Sequence, residues 1–304
     1  MNDALIAAPT GSPTHGRHPL LGPVEPPLLH VMTYNLKSAS GHAPHSWWKR
    51  RPLVKAVLEN ELPTIVCTQE GRFRQLLELR EDLDGYDWVH LGRGGGSRSE
   101  ATAIFWDAAR LTPLEYDHLW LSKRPNVIGS RNWGSGTVRM LTWVHLEDRA
   151  TGQRFYVVDN HFDHRSEKAR RKGAELLLRT IAKFLDPVIV AGDFNCGPDS
   201  ATYRALTRGG LSDAWETAAE RVTPGWATFN RWRPEPVEGP TRMDWILARP
   251  SRDCTVEIHQ IGVNAYTEGG LTPSDHWPVQ ALVNLVPRRS RRQTASHRGA
   301  PSAP

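Results

Sequence analysis

Asp193 and Asn195 stand two residues apart in Gly192-Asp193-Phe194-Asn195, directly after the apolar run Val188-Ile189-Val190-Ala191. In an extended chain, side chains at that spacing leave the same face. A carboxylate and a carboxamide can then address one reacting group, the first taking or orienting a proton and the second donating to a phosphoryl oxygen. Taken alone, Asp and Asn after a strand are ordinary turn formers. Five further segments have the same form, an apolar strand ending in acidic, amide or imidazole groups. They are Val31-Met32-Thr33-Tyr34-Asn35, Ile65-Val66-Cys67-Thr68-Gln69-Glu70, Phe155-Tyr156-Val157-Val158-Asp159-Asn160-His161, Met243-Asp244-Trp245-Ile246 and Ser274-Asp275-His276-Trp277-Pro278-Val279. The joint pattern, rather than any one segment, points to a phosphoester site.

In order and spacing these segments resemble the endonuclease/exonuclease/phosphatase family of divalent-metal phosphoesterases, over roughly Leu29 to Leu285. The compact bacterial members are most similar, sharing the run Ser99-Glu100-Ala101-Thr102-Ala103-Ile104-Phe105-Trp106 and the pattern Asn160-His161-Phe162-Asp163-His164. Ser274-Asp275-His276 and Gly192-Asp193-Phe194-Asn195 are the most specific pieces of the match. The resemblance implies a DNase I-like four-layer α/β sandwich, two mostly antiparallel β-sheets flanked by helices, and a metal-dependent hydrolase acting on phosphoric ester bonds. It also implies that Asp244 orients His276, that Glu100 pairs with His161, and that Asp275 contributes on the far side of the metal site. Arg139 resembles a position near the substrate, with a structural ion pair as the alternative, and the role of His164 stays open. Two departures, Met243-Asp244-Trp245-Ile246 for Ile-Asp-Tyr-Ile and Asn160 where Asn-Thr-His is common, keep a polar group in place.

Ester hydrolysis at phosphorus brings an oxygen up to an anion and loads charge onto the phosphoryl and leaving oxygens; a hard cation and hydrogen-bond donors answer both problems. Magnesium, with manganese as its substitute, takes oxygen ligands and keeps several waters, so one or two protein carboxylates suffice. Glu70 is the first choice, with Asn35 as an amide ligand or water holder. The nucleophile is water. A carboxylate bonded to one imidazole nitrogen fixes the tautomer and leaves the other nitrogen for the phosphoryl group or the water. Which of His161 and His276 is the base is not legible. Asp193 is an alternative for aligning the water, with Asn195 and Asn160 on phosphoryl oxygens.

Those segments spread from residue 31 to residue 279 and must converge, which makes one large domain, 28–286, the better reading of 304 residues. Residues 1–27 are a Pro-rich leader expected to be disordered, with folded structure starting near Leu28, and 287–304 a disordered basic tail. The tail's five arginines equal the formal net charge of +5, so the body is near neutral. No apolar run approaches the roughly 18 residues of a membrane helix. The chain therefore reads as a cytoplasmic monomer without membrane insertion. The unpaired spacing of Cys67, Cys196 and Cys254 argues against a disulfide framework.

Helices are expected from Pro52 to Asn60, from Phe73 to Leu83 and from Ser166 to Leu185, with strands dominating Ala101 to Val158. The Gly92–Gly96 cluster lacks the Lys-Ser/Thr ending of a P-loop and reads as a flexible loop beside Glu100. Trp143 and Trp245 fall within strand patterns and read as core; Trp133 and Trp232, in Gly- and Pro-rich loops, are the candidates for substrate contact. The function this favours is hydrolysis of a small phosphorylated metabolite or phosphodiester. The alternatives are a DNA or RNA nuclease, which the arginine tail supports, and a non-catalytic binding module.

Overall fold

A computed structural model describes residues 18–39, 44–239 and 241–288. In chain order the elements are β1 (Leu28–Asn35), α1 (Trp47–Glu61), β2 (Ile65–Arg72), α2 (Phe73–Asp82), β3 (Tyr86–Gly92), β4 (Glu100–Asp107), β5 (Leu111–Trp120), β6 (Met140–Asp148) and β7 (Arg154–His161). They continue with α3 (Glu167–Ile181), β8 (Val188–Asp193), α4 (Ala201–Arg208), β9 (Ser212–Asp213), α5 (Ala214–Thr217), β10 (Glu220–Arg221), β11 (Asp244–Arg249), β12 (Cys254–Val263) and β13 (Val279–Pro287). They build a seven-stranded sheet, β10-β12-β13-β1-β2-β4-β3, and a six-stranded sheet, β5-β6-β7-β8-β11-β9. Both are mixed and mostly antiparallel; the parallel pairs are β1 with β2, β10 with β12, and β7 with β8.

The central strands are apolar on both faces because both faces are covered. Leu29, Val31, Ile65, Cys67 and Ile104 of one sheet meet Val144, Phe155, Val157, Ile189 and Ile246 of the other. The alternate residues Met32, Tyr34, Val66 and Phe105 face α1 and α2, and Val158, Val190, Trp245 and Leu247 lie under α3 and α4. The result is the four-layer sandwich that the resemblance implies. Trp143 and Trp245 are core, as expected, and all three cysteines are free.

Local differences from the sequence expectation have physical causes. Helix α1 starts at Trp47 rather than Pro52, and Pro52 lies inside it. Burial of Trp47, Leu53, Val54 and Leu58 outweighs the backbone bond that proline removes. Helix α3 is capped by Ser166, whose hydroxyl accepts from the Ala169 N–H, a contact worth about 1 kcal/mol. It stops at Ile181, before Leu185. The described chain begins at His18, ten residues earlier than the expected start of structure. The N–H groups of Leu20, Leu21 and Gly22 donate to the buried Glu61 carboxylate at 2.6, 3.0 and 3.0 Å, docking the segment on the end of α1. The expectations that fall on residues 1–17 and on the tail from residue 289 lie outside the described residues.

Candidate active site

Strand register brings three of the polar residues side by side. His161 at the end of β7 pairs with Asp193 at the end of β8, and Asp193 pairs on its other side with Asp244 at the start of β11. From the other sheet, Asn35 ends β1, and its carboxamide nitrogen reaches across to Asp193 Oδ2 at 3.1 Å and toward Glu70 Oε1 at 3.4 Å. Glu70 is re-aimed by a bulge. Between Thr68–Ala103 and Gly71–Ala101 the β2–β4 register shifts, and Glu70 takes a left-handed φ of 63°. A non-glycine residue there costs about 1–2 kcal/mol, which the surrounding structure must offset.

Of these, Glu70, His161 and Asp193 open onto one cavity of about 560 Å³, lined by Lys37, Glu70, Arg93, Glu100, Thr137, Arg139, His161, His164, Asp193, Asn195, Phe229, Arg231, Met243, Asp275 and His276. Eleven of the fifteen are charged or imidazole-bearing. The volume lies within the range of small-molecule sites, roughly 300–1,000 Å³.

The two imidazoles are in opposite electrostatic states. Burial presses His276 toward its neutral form, but the carboxylates of Asp244, Asp193 and Asp275 together override it and raise its pKa to about 10. Its Nδ1 donates to Asp244 Oδ2 at 2.9 Å. His161 is also fully buried, and here burial and the Arg139 guanidinium act together and hold its pKa well below the ordinary value. Arg139 Nη1 lies 2.7 Å from His161 Nδ1, and its Nη2 donates to His164 Nδ1 at 3.1 Å. Burial, reinforced by the nearby Asp244 charge, raises the Asp193 carboxyl to about 7.

On the far side, Glu70 and Asp275 converge on Lys37, whose Nζ lies 3.8 Å from Glu70 Oε2 and 3.1 Å from Asp275 Oδ2. Burial alone would raise the Glu70 carboxyl; Lys37, His276 and the Ser38 N–H reverse the sign and lower it. Asp275 Oδ1 is buried with no partner among the described residues. Two carboxylates facing one cationic point, one with a free oxygen, form an oxygen donor set that fits a hard divalent ion. Ligand atoms of Asp193, Asp244 and His276 also lie within 4.8 Å of one another. That trio already holds an internal cation, His276, bonded to the Asp244 carboxylate.

Not every expected contact forms. Glu100 lines the cavity but pairs with Arg93 at 2.9 Å, not with His161. Burial pushes the Glu100 carboxyl up, and Arg93 only partly offsets it. Asn160 is absent from the cavity: it is fully buried on the opposite face of β7 from His161, and its Nδ2 donates to Ala191 O at 2.9 Å. Consecutive strand residues point to opposite faces, so both could not line the site. Asn35 Oδ1 accepts from the Lys37 N–H at 3.0 Å, so the carboxamide turns its donors, not its oxygen, to the carboxylates. Asn195 reaches the cavity through a left-handed turn, φ 52°, and not as part of an extended strand. Its Nδ2 is occupied by Phe162 O at 3.0 Å and Asp193 Oδ2 at 3.2 Å, so it steadies Asp193 and has no donor left for phosphate.

Sequence reasoning missed Lys37, Arg93, Phe229 and Arg231, which carry no signal in a strand-end pattern because they sit in loops. Of the tryptophans expected at the substrate, Trp133 packs against the core under α3, and Trp232 stacks on His45 with centroids 4.0 Å apart. Gln69 lies behind the site, its Nε2 donating to Asp159 Oδ1 at 2.7 Å.

Residues 32–276 match the model of the endonuclease/exonuclease/phosphatase family. Among solved structures, a family protein from Bacteroides thetaiotaomicron is 30% identical with a TM-score of 0.81, covering 86% of this chain and 99% of that one. A mannosyl-6-phosphatase from the same organism is also 30% identical, with a TM-score of 0.77, covering 85% of this chain and 99% of that one. The Ccr4 3'-5'-exoribonuclease subunit of the CCR4-Not complex of Aspergillus niger is 24% identical over 230 residues, 58% of this chain and 34% of its own. The chain spans 61% or less of the length of the curated relatives it matches.

Proposed function

The chain belongs to the endonuclease/exonuclease/phosphatase family, and on that premise we propose that it hydrolyses a small phosphorylated metabolite or phosphodiester by attack of water on phosphorus. The observation that carries the reading is the placing of the Asp193 carboxyl, with a pKa of about 7, beside an imidazolium, His276, in one cavity of metabolite size. Asp193 accepts the proton of the attacking water. His276, held as a cation by Asp244, cannot take that proton and instead stabilises the charge that gathers on the phosphoryl and leaving oxygens. Arg139, backed by the neutral rings of His161 and His164, binds the phosphoryl group; Asn35 and Asn195 hold Asp193 in place, and Arg93 holds Glu100 at the rim. Glu70 and Asp275 would hold Mg2+, or Mn2+ in its stead, which would supply neutralisation of the phosphoryl charge.

A near-neutral body and the 30% identical mannosyl-6-phosphatase support a small substrate. A nuclease is the second reading, supported by the Ccr4 relative and the arginines of the tail. We take the enzyme to work as a cytoplasmic monomer, in keeping with three free cysteines and with no helix among the described residues long and apolar enough to cross a membrane. Hydrolysis of sugar phosphates, nucleotides, sphingomyelin, RNA and plasmid DNA, assayed with Mg2+ and Mn2+ against Glu70→Ala as the blank, separates the readings. Turnover confined to polynucleotide would replace the first by the second.

A further inference from the structure

Most cations lining the cavity already have partners. Lys37 lies between Glu70 and Asp275, Arg93 on Glu100, His276 on Asp244, and Arg139 against two imidazoles. The Arg231 side chain makes no hydrogen bond or ion pair with any described residue. Its guanidinium carbon lies 5.4 Å from the centroid of Phe229, and the Phe229 ring packs on His276 at 4.9 Å. An arginine left free by the protein is thus separated from the cationic imidazole by one ring.

The loop that carries it is fastened to the site. The N–H groups of Asn230 and Arg231 both donate to Asp275 O, at 2.8 and 3.2 Å. Asn230 Nδ2 donates to Ser274 O at 3.0 Å, and its Oδ1 accepts from the Trp232 N–H at 2.7 Å. Arg231 and Trp232 take consecutive left-handed φ values of 55° and 68°, and Trp232 is pinned between the His45 ring and Arg50. The position of Arg231 is therefore set by the segment that supplies Asp275 and His276. Arg139 and Arg231 both line the cavity onto which Asp193 opens, the first against His161 on β7 and the second over Phe229, whose ring packs on His276.

We propose that Arg231 is a specificity-determining residue that binds a second anionic group, phosphate or carboxylate, on the alcohol portion of the substrate. The preferred substrates are then small phosphoesters carrying two negatively charged groups. A planar guanidinium with all its donors free matches either anion in a two-pronged contact. The inference rests on the phosphoester reading above and deepens it.

Kinetics on glycerol 3-phosphate and fructose 6-phosphate, against 3-phosphoglycerate and fructose 1,6-bisphosphate, test it with the wild-type protein, Arg231→Gln and Arg231→Lys. The wild type should favour the doubly anionic esters by about tenfold or more in kcat/KM, the order of one charge-assisted contact. Arg231→Gln should bring that ratio close to one through KM, and Arg231→Lys should restore part of it. The larger of the carboxylate and phosphate ratios identifies the group bound. No preference in the wild type, or a ratio unchanged by Arg231→Gln, overturns the proposal. If none of the four esters turns over, the phosphoester reading is in question and calorimetry with fructose 1,6-bisphosphate still decides on Arg231. Binding about tenfold tighter to the wild type than to Arg231→Gln supports it; equal affinity, or no binding to either, overturns it.

Discussion

His276 donates its Nδ1 proton to Asp244 Oδ2 at 2.9 Å, and this bond decides which of the two cavity imidazoles carries charge. His161 has the Arg139 cation at 2.7 Å, nearer than the Asp193 carboxyl at 3.4 Å, where His276 has the Asp244 carboxylate in direct hydrogen bond. Asp244→Asn should therefore lower kcat by at least about a hundredfold, the usual loss when a positioned electrostatic group is removed, with a native far-UV spectrum. His276→Ala and Asp193→Asn should each cost as much. A folded variant with near wild-type kcat refutes the role given to that residue.

The pH profile should be bell-shaped. Asp193 must lose its proton to act as a base, so kcat/KM rises as pH climbs through about 7; His276 must keep its proton, so the rate falls as pH passes about 10. A profile flat from pH 6 to 8 would contradict the first assignment, and one without a fall between pH 9 and 11 the second.

Removing the metal should abolish turnover, because no nucleophilic side chain in the cavity is arranged to replace the charge stabilisation it supplies. Glu70→Gln and Asp275→Asn should each raise the Mn2+ dissociation constant about tenfold or more by calorimetry. Hydrolysis that persists unchanged in EDTA excludes the mechanism.

Gly192 adopts φ +144°, and a Cβ there would stand 2.1 Å from the backbone oxygen of Asn160. No side chain can relieve that approach, since it is backbone against backbone in the register that aligns His161 with Asp193. Gly192→Ala should cost about 3 kcal/mol or more, read as a lowered denaturant midpoint, and activity should fall with it. A stable, active variant would show that this register is not needed.

Asp159 is completely buried between the sheets, and burial pushes its carboxyl well above the ordinary range; Gln69 and neighbouring N–H groups offset only part of this. The folded chain therefore holds a proton that the unfolded chain releases at lower pH, so this group's contribution to stability declines as pH rises above the ordinary carboxylate range. Asp159→Asn, nearly isosteric and uncharged, should be more stable than the wild type at pH 8 by about 1–2 kcal/mol and should flatten the dependence. Chemical denaturation at pH 5 and pH 8 measures both, and a variant less stable at pH 8 would rule this out.

The sequence by itself determined that six strand ends carry polar groups and that apolar strands lie beneath them, because side-chain alternation and burial are written in local order. Of the eleven residues assigned to one site, Glu70, Glu100, Arg139, His161, Asp193, Asn195, Asp275 and His276 line the cavity, and Asn35, Asn160 and Asp244 do not. Alternation applied strictly to β7 would also have excluded Asn160 once His161 was taken as inward. What only the tertiary structure decided is which partner each group meets. Asp244 reaches His276 across 32 residues, Glu100 turns to Arg93, and the bulge at Gln69-Glu70 redirects a carboxylate. Arg231 comes to the cavity because a left-handed loop is bonded to Asp275. Such pairings depend on register, twist and loop paths between segments far apart in the chain, and no local period records them.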